Sequence, residues 1–151
     1  IPRDIAYNID KSYDIQYGKW IELYKGESVL ILAVGSMVKE VLNIREELIK
    51  NGVNPTIVST IFIKPLDYSY IYENIINKTE YTRIITMEEG ALKGGFGSML
   101  LEYLNDNNIN LNIERIGIED NFIEQGNRSE IMEEIGLRGR KLIARILGRR
   151  E

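Results

Sequence analysis

TRIITMEEGALKGGFGSML, residues 82–100, joins three segments of different character. The first is short, apolar and partly β-branched, as in a buried strand. Four glycines then occur within eight residues, and the last segment opens an apolar run that predicts a helix to about Tyr103. A strand that leads through a glycine-rich turn into a helix is typical of a parallel α/β sheet.

The segments before this stretch repeat the alternation of strand and helix. VLILAV, residues 29–34, is continuously apolar, as in a strand buried on both faces, and PTIVSTIF, residues 55–62, is rich in β-branched residues. Apolar residues at helical spacing predict a helix between them, from residues 35–36 to residues 51–52. KWIELY, residues 19–24, alternates polar and apolar residues, and we expect it to pair with VLILAV as a hairpin through the turn KGES.

The rest of the chain continues the same pattern. Asp67 is a suitable N-cap for a helix over residues 68–77. After residue 103 we expect a strand at 110–118, a loop, a helix at 128–135 and an amphipathic helix at 138–147. The sequence therefore predicts a three-layer α/β/α fold, with a mixed, mostly parallel sheet of about five strands and an antiparallel edge strand.

Composition narrows the chemistry that this chain could perform. Its 151 residues are 44% hydrophobic, enough for one domain with a core. The net charge of -4 gives no reason to expect nucleic acid or a membrane as partner, and the basic residues between 138 and 150 fit a solvated helix face. Cysteine and histidine are absent, which removes common metal ligands and the commonest general base. No apolar run is long enough for a membrane span.

The glycine stretch is the first candidate site. Its spacing is neither that of a Walker phosphate loop nor the GxGxxG of a dinucleotide fold. We expect Gly94, Gly95 and Gly97 to allow positive φ and close packing of helix on sheet. The alternative is an anion site at the amino end of the following helix.

Glu88 and Glu89 stand just before the glycines. Neighbouring residues of a strand point to opposite faces, so these two carboxylates cannot act as a catalytic pair on one substrate. We expect at least one of them to accept hydrogen bonds from nearby backbone amides. Glu89 could also face a subunit boundary. No catalytic residue and no metal ligand are predicted in this chain.

Three motifs carry a resemblance to a known family. They are FIKPLD (62–67), TMEEGALKGGFGS (86–98) and IGIEDNFIEQGNRSEIMEEIGL (116–137). In this order and spacing they resemble the C-terminal domain of transketolase-like enzymes, and most of all that of the 1-deoxy-D-xylulose-5-phosphate synthase family. The resemblance covers nearly the whole chain.

The resemblance implies a role within a larger enzyme. Members of that family use thiamine diphosphate and a divalent metal, usually magnesium, to condense pyruvate with D-glyceraldehyde 3-phosphate, with loss of carbon dioxide. Both cofactors bind to the first two domains. Residues 1–18 would then be the end of the preceding pyrimidine-binding domain and a linker, and residues 19–151 the C-terminal domain. This chain would bind no cofactor and would be inactive alone. It would contact the preceding domains in a homodimer, which is expected in the bacterial cytoplasm; the alternative is a plastid.

One substrate-binding residue is implied by the same resemblance. Pro2-Arg3 matches a Pro-Arg-Gly segment whose arginine faces the mouth of the active site, where the substrate phosphate binds, although Asp4 replaces the glycine. Gln125 stands where the family often has histidine. The alternatives are the C-terminal domain of transketolase itself or of a 2-oxoacid dehydrogenase beta subunit, and a free-standing regulatory module that binds a small anion. A chain that opens with IPRD, without methionine or a signal peptide, is expected to be part of a longer one.

Overall fold

A computed structural model of the chain describes residues 13–78, 80–120 and 125–149. Strands and helices alternate along this part of the chain, as the sequence predicts. The strands are β1 (Ile21–Tyr24), β2 (Val29–Ala33), β3 (Thr56–Ser59), β4 (Arg83–Ala91) and β5 (Ile113–Ile118). The helices are α1 (Met37–Lys50), α2 (Tyr68–Tyr70, continued by a π-helical segment at Ile71–Ile76), α3 (Phe96–Asp106), α4 (Arg128–Glu134) and α5 (Gly139–Leu147).

The five strands form one mixed sheet in the order β1-β3-β2-β4-β5. Strands β3, β2, β4 and β5 are parallel, and β1 is antiparallel to β3 at one edge. Every residue of β2 is buried, because helices cover both faces of the sheet. The predicted three-layer fold with an antiparallel edge strand is therefore confirmed.

The core lies in two layers, one on each side of the sheet. Side chains of α1 and α5 pack on one face, around Ile31, Met37 and Leu142. Side chains of α2, its π-helical continuation and α3 pack on the other face, around Leu32 and Phe96. Among the described residues, no helix has both the length and the apolar character needed to cross a bilayer.

The predicted hairpin between the first two strands is wrong. Strand β1 pairs with β3, and β2 lies beyond β3, between β3 and β4. The connection from β1 to β2 therefore crosses the start of β3, where a Cβ on Gly26 would lie 2.2 Å from the carbonyl oxygen of Asn54. Only glycine permits so close an approach. Both edges of the fully apolar β2 take parallel partners, and the half-exposed β1 is left at the edge of the sheet.

Most other predicted boundaries lie within a few residues of the observed ones. The Asp67 side chain caps α2 by accepting a hydrogen bond from the amide of Tyr70, 3.0 Å away, so that prediction is confirmed. Strand β4 continues past Met87 to Ala91, with an irregular register against β5 between these residues. Glu88 and Glu89 lie near the end of this strand, as predicted, whereas Gly90 and Ala91, expected in the glycine turn, also belong to the strand.

Candidate functional site at the carboxyl edge of the sheet

The strand order fixes where a ligand site would be expected. After β2, the chain leads through α1 to β3 on one side, whereas β4 lies on the other side of β2. In open α/β sheets, ligands bind at such a switch point, beyond the carboxyl ends of the strands. Ser36 follows β2 at this place, and Glu88 and Glu89 lie near the end of β4.

Glu88 is buried and points toward the amino end of α3. Its carboxylate accepts hydrogen bonds from the backbone amides of Phe96, at 2.7 Å, and of Gly97, at 3.2 Å. The first amides of a helix lack intrahelical partners and carry the positive end of the helix dipole. The predicted role of one glutamate as a structural acceptor is therefore confirmed. The carboxylate also occupies the donors that an external anion would need.

The glycines of the loop serve two different purposes. Gly94 has φ of 74°, as predicted. Gly95 has φ of -83°, and Gly97 has no positive φ either, so the expectation of positive φ at these two positions is wrong. They are needed for space: a Cβ at Gly95 would lie 2.4 Å from Oε2 of Glu88, and one at Gly97 would lie 2.7 Å from Oγ1 of Thr86. The predicted close packing of helix on sheet is confirmed.

Glu89 points to the opposite face, as predicted for its place on the strand. Its carboxylate accepts a hydrogen bond from Oγ of Ser36 at 2.5 Å and from Nε of Arg128 at 2.9 Å. Arg128 also donates through a second nitrogen. The pKa of Glu89 is lowered, chiefly by Arg128 and also by Ser36, against the opposing effect of burial. Glu89 is therefore an ionised link from β4 to the starts of α1 and α4 at the carboxyl edge.

A second ion pair lies beside the first and was missed by the sequence analysis. Arg138 donates to Glu40 of α1 through Nε, at 3.0 Å, and through a terminal nitrogen, at 2.6 Å. It also donates to Oγ of Ser129 at 2.5 Å. Assigning Arg138 to a solvated helix face was thus wrong. The available signal was Glu40, an acid on the apolar face of α1 that needs a cation when buried.

The carboxyl edge as a whole is held together by its own charges. The carboxylates of Glu88, Glu89 and Glu40 all have partners within the chain. Among residues 13–78, 80–120 and 125–149, no group of three or more acids approaches closely enough to hold a metal ion. Arg3, predicted to bind a substrate, lies outside the described residues. This arrangement can position loops, and it occupies the carboxylates of Glu40, Glu88 and Glu89 with partners of the chain itself.

Comparison with known proteins agrees with this architecture. The family description "Transketolase, C-terminal domain" matches residues 18–142. Among curated relatives, the 1-deoxy-D-xylulose-5-phosphate synthase of Fusobacterium nucleatum is 37% identical over 97% of this chain and 24% of its own length. That of Bacillus velezensis is 40% identical over 87% of this chain and 20% of its own length. The chain thus spans about a quarter or less of these relatives.

Solved structures show the same fold. The chain described as "Split gene transketolase, inactive beta4 tetramer" has a TM-score of 0.77 and 23% identity, over 96% of this chain and 46% of that one. Transketolase from Campylobacter jejuni has a TM-score of 0.61 over 91% of this chain and 19% of its own. At this identity the likeness concerns the fold alone. With the family match over residues 18–142, it follows that this chain belongs to the transketolase C-terminal domain family.

Proposed function

We propose that this chain is the third domain of a 1-deoxy-D-xylulose-5-phosphate synthase. The observation that carries the proposal is the 37% identity to the Fusobacterium nucleatum enzyme of that name over 146 residues. The complete protein would condense pyruvate with D-glyceraldehyde 3-phosphate, using thiamine diphosphate and magnesium. The reacting carbanion chemistry would belong to the thiamine cofactor, and the protein would supply binding and orientation.

Within that enzyme the chain would have a supporting role. Residues 1–18 would form the end of the pyrimidine-binding domain and the linker, and residues 19–151 the third domain of a cytoplasmic homodimer. The pairing of Glu40 with Arg138 and of Glu89 with Arg128 supports this proposal, because these contacts fix the carboxyl edge in place and the described residues form no metal-binding group. Arg3 would hold the phosphate of the substrate.

The test is an assay of the full-length protein. We expect release of carbon dioxide from pyruvate that depends on glyceraldehyde 3-phosphate, thiamine diphosphate and magnesium. Arg3→Ala should raise the KM for glyceraldehyde 3-phosphate roughly a hundredfold, because a charge-assisted contact to phosphate contributes about 2–3 kcal/mol. The KM for pyruvate should change little.

The matched control is Arg140→Ala, which removes an exposed arginine from α5. It should leave both KM values unchanged. An equal rise for both substrates in Arg3→Ala would make Arg3 a structural residue. Absence of the condensation in a folded, cofactor-saturated protein would contradict the proposed function itself.

The geometry does not favour a free-standing anion-binding module. Such a module needs free amides at the amino end of α3, and the amides of Phe96 and Gly97 already donate to Glu88. An anion would have to displace a buried carboxylate of the same charge, which makes this alternative the weaker one.

A further inference from the structure

The carboxyl end of α1 places an asparagine directly before a glycine. Asn51-Gly52 is the single Asn-Gly pair in the 151 residues of the sequence, and both residues are exposed to solvent. In such a pair the backbone nitrogen of the glycine can attack the side-chain amide carbon of the asparagine. Glycine has no side chain to obstruct this approach, whereas any other residue after the asparagine crowds it.

The carboxyl end of α3 provides a matched comparison. Asn51 and Asn107 follow α1 and α3 with nearly the same backbone conformation, at φ of -94° and -97°. Each donates from Nδ2 to the carbonyl oxygen four residues earlier, at 2.8 Å. The next residue has a positive φ in both cases, 85° at Gly52 and 58° at Asn108. Its amide donates to a carbonyl oxygen three residues earlier, at 3.0 Å. The two helix ends thus differ chiefly in the side chain of the residue that would attack.

Hydrogen bonds hold the reacting groups of Asn51 and Gly52 in place. The amide of Gly52 donates to the carbonyl oxygen of Ile49. Oδ1 of Asn51 accepts from Arg149, which lies beyond α5, at 3.1 Å. Attack therefore requires that the last turn of α1 opens for a moment, as exposed helix ends do. These contacts slow the reaction without preventing it.

We propose that Asn51 is a site of spontaneous deamidation through a cyclic imide. The Gly52 nitrogen gives up its proton and bonds to Cγ of Asn51. The bond from Cγ to Nδ2 then breaks, and Nδ2 takes up a proton and leaves as ammonia. Water opens the imide at either of its two carbonyls, which gives aspartate or isoaspartate. Nothing is oxidised or reduced, water is the sole co-reactant, and the inference does not depend on the proposed function.

The product changes the charge at the end of α1. A carboxylate at position 51 can no longer donate to Glu47, whose Oε1 lies 3.3 Å from Nδ2 of Asn51. Two carboxylates then stand side by side, at the end of the helix where the dipole disfavours negative charge. Arg149 offsets part of this repulsion. Because the ammonia is lost, the change accumulates with the age of each molecule.

Peptide mapping by mass spectrometry tests the proposal on the full-length protein, kept folded at mildly alkaline pH. Asn107 is the internal control, since its backbone and its hydrogen bonds match those of Asn51. We expect Asn51 to be converted many times faster than Asn107, with both aspartate and isoaspartate among the products. An unmodified Asn51, equal conversion at the two positions, or aspartate as the sole product would each overturn the proposal.

An exchange of the following residues isolates the role of the attacking glycine. Gly52→Asn copies the end of α3, and it fits because no atom lies within 4 Å of the added Cβ and asparagine tolerates a positive φ. It should lower the rate at Asn51 to that of Asn107. Asn108→Gly should raise the rate at Asn107 toward that of Asn51. Circular dichroism checks that both variants are folded, and unchanged rates in folded variants would overturn the proposal.

Discussion

Gly95 and Gly97 leave room for the side chains of Glu88 and Thr86. A methyl group on Gly95 would lie 2.4 Å from Oε2 of Glu88, and one on Gly97 would lie 2.7 Å from Oγ1 of Thr86. We expect Gly95→Ala and Gly97→Ala each to lower the free energy of unfolding by about 1–3 kcal/mol, because the packed neighbours must move. Urea denaturation measures the change.

The control for this prediction is Gly90→Ala, near the end of β4. Gly90 has no neighbour within 4 Å of the added carbon, and its φ is not positive. The control should shift the free energy of unfolding by no more than about 0.5 kcal/mol. Equal losses of unfolding free energy at all three positions would show that lost backbone flexibility, and not a lack of room for the methyl group, causes the destabilisation.

The second prediction for single residues concerns Glu88. Glu88→Ala leaves the buried amides of Phe96 and Gly97 without an acceptor, which should cost about 1–3 kcal/mol of unfolding free energy. Glu88→Gln keeps one acceptor oxygen and should cost less. Glu46→Ala, at an exposed position of α1, is the matched control and should be nearly neutral. A neutral Glu88→Ala would mean that water replaces the carboxylate at this helix end.

The sequence predicted that at least one of Glu88 and Glu89 accepts hydrogen bonds from backbone amides, but it could not show which one. Both lie at the end of a strand and before glycines, and only the tertiary structure places α3 on one side of β4 and Arg128 on the other. Arg138 was missed for a similar reason. Its partner Glu40 is far away in the chain, so local charge patterning showed only a basic helix.

At the scale of the secondary-structure element, Asp67 joins the start of α2 to β1. Burial disfavours its charged form, but the amides of Tyr70 and Trp20 donate to the carboxylate and hold its pKa below the ordinary 3.8. A carboxyl group with a lowered pKa adds stability above its unfolded pKa and loses it as pH falls through the folded value. Asp67→Asn keeps only one acceptor oxygen for these two amides and should therefore cost about 1 kcal/mol at neutral pH.

The pH dependence of that difference is the critical measurement. Wild type and Asp67→Asn should converge in unfolding free energy as the pH falls below 3.8. Asp14→Asn, at an exposed position, should follow wild type throughout. A difference between wild type and Asp67→Asn that stays constant through this range would show that the charge of Asp67 is not what stabilises the cap.

The Arg138–Glu40 pair connects α1 to the loop before α5. Glu40 is only 5% exposed and Arg138 30% exposed. Arg138→Ala leaves a buried carboxylate unpaired and should cost on the order of 2 kcal/mol. The exposed pair of Lys93 and Asp120, at 84% and 40%, provides the control. Lys93→Ala should cost less than about 0.5 kcal/mol, and thermal melts that show equal losses would contradict the distinction.

At the scale of the whole molecule, the chain is expected to carry no cofactor site of its own. Glu40, Glu88 and Glu89 at the carboxyl edge are paired, and the described residues form no metal-binding group. Titration calorimetry of the isolated chain with thiamine diphosphate and magnesium should therefore show no saturable heat. The full-length protein is the positive control, and micromolar binding by the isolated chain would contradict its proposed place as the third domain alone.

The alternation of apolar strands and amphipathic helices predicted the layers of the fold. Apolar residues at helical spacing indicate a helix, and short apolar or alternating runs indicate a strand. The alternation could not predict the partner of β1. A half-exposed strand can pair with either neighbour that offers a free edge, and here the choice is set by the parallel pairing of β2 with both β3 and β4. Because of that choice, the connection from β1 to β2 crosses the start of β3 at Gly26. A single glycine in a turn does not predict such a crossing.

The position of β1 also has a consequence for synthesis on the ribosome. β1 is translated before β2, yet its hydrogen-bonding partner is β3, which extends to Ser59. At about 5–20 residues per second, the nascent strand waits some seconds before its partner has even been made. The first strand to be translated thus stays unpaired while β2, α1 and β3 emerge, and it can join the sheet only through a strand made after β2.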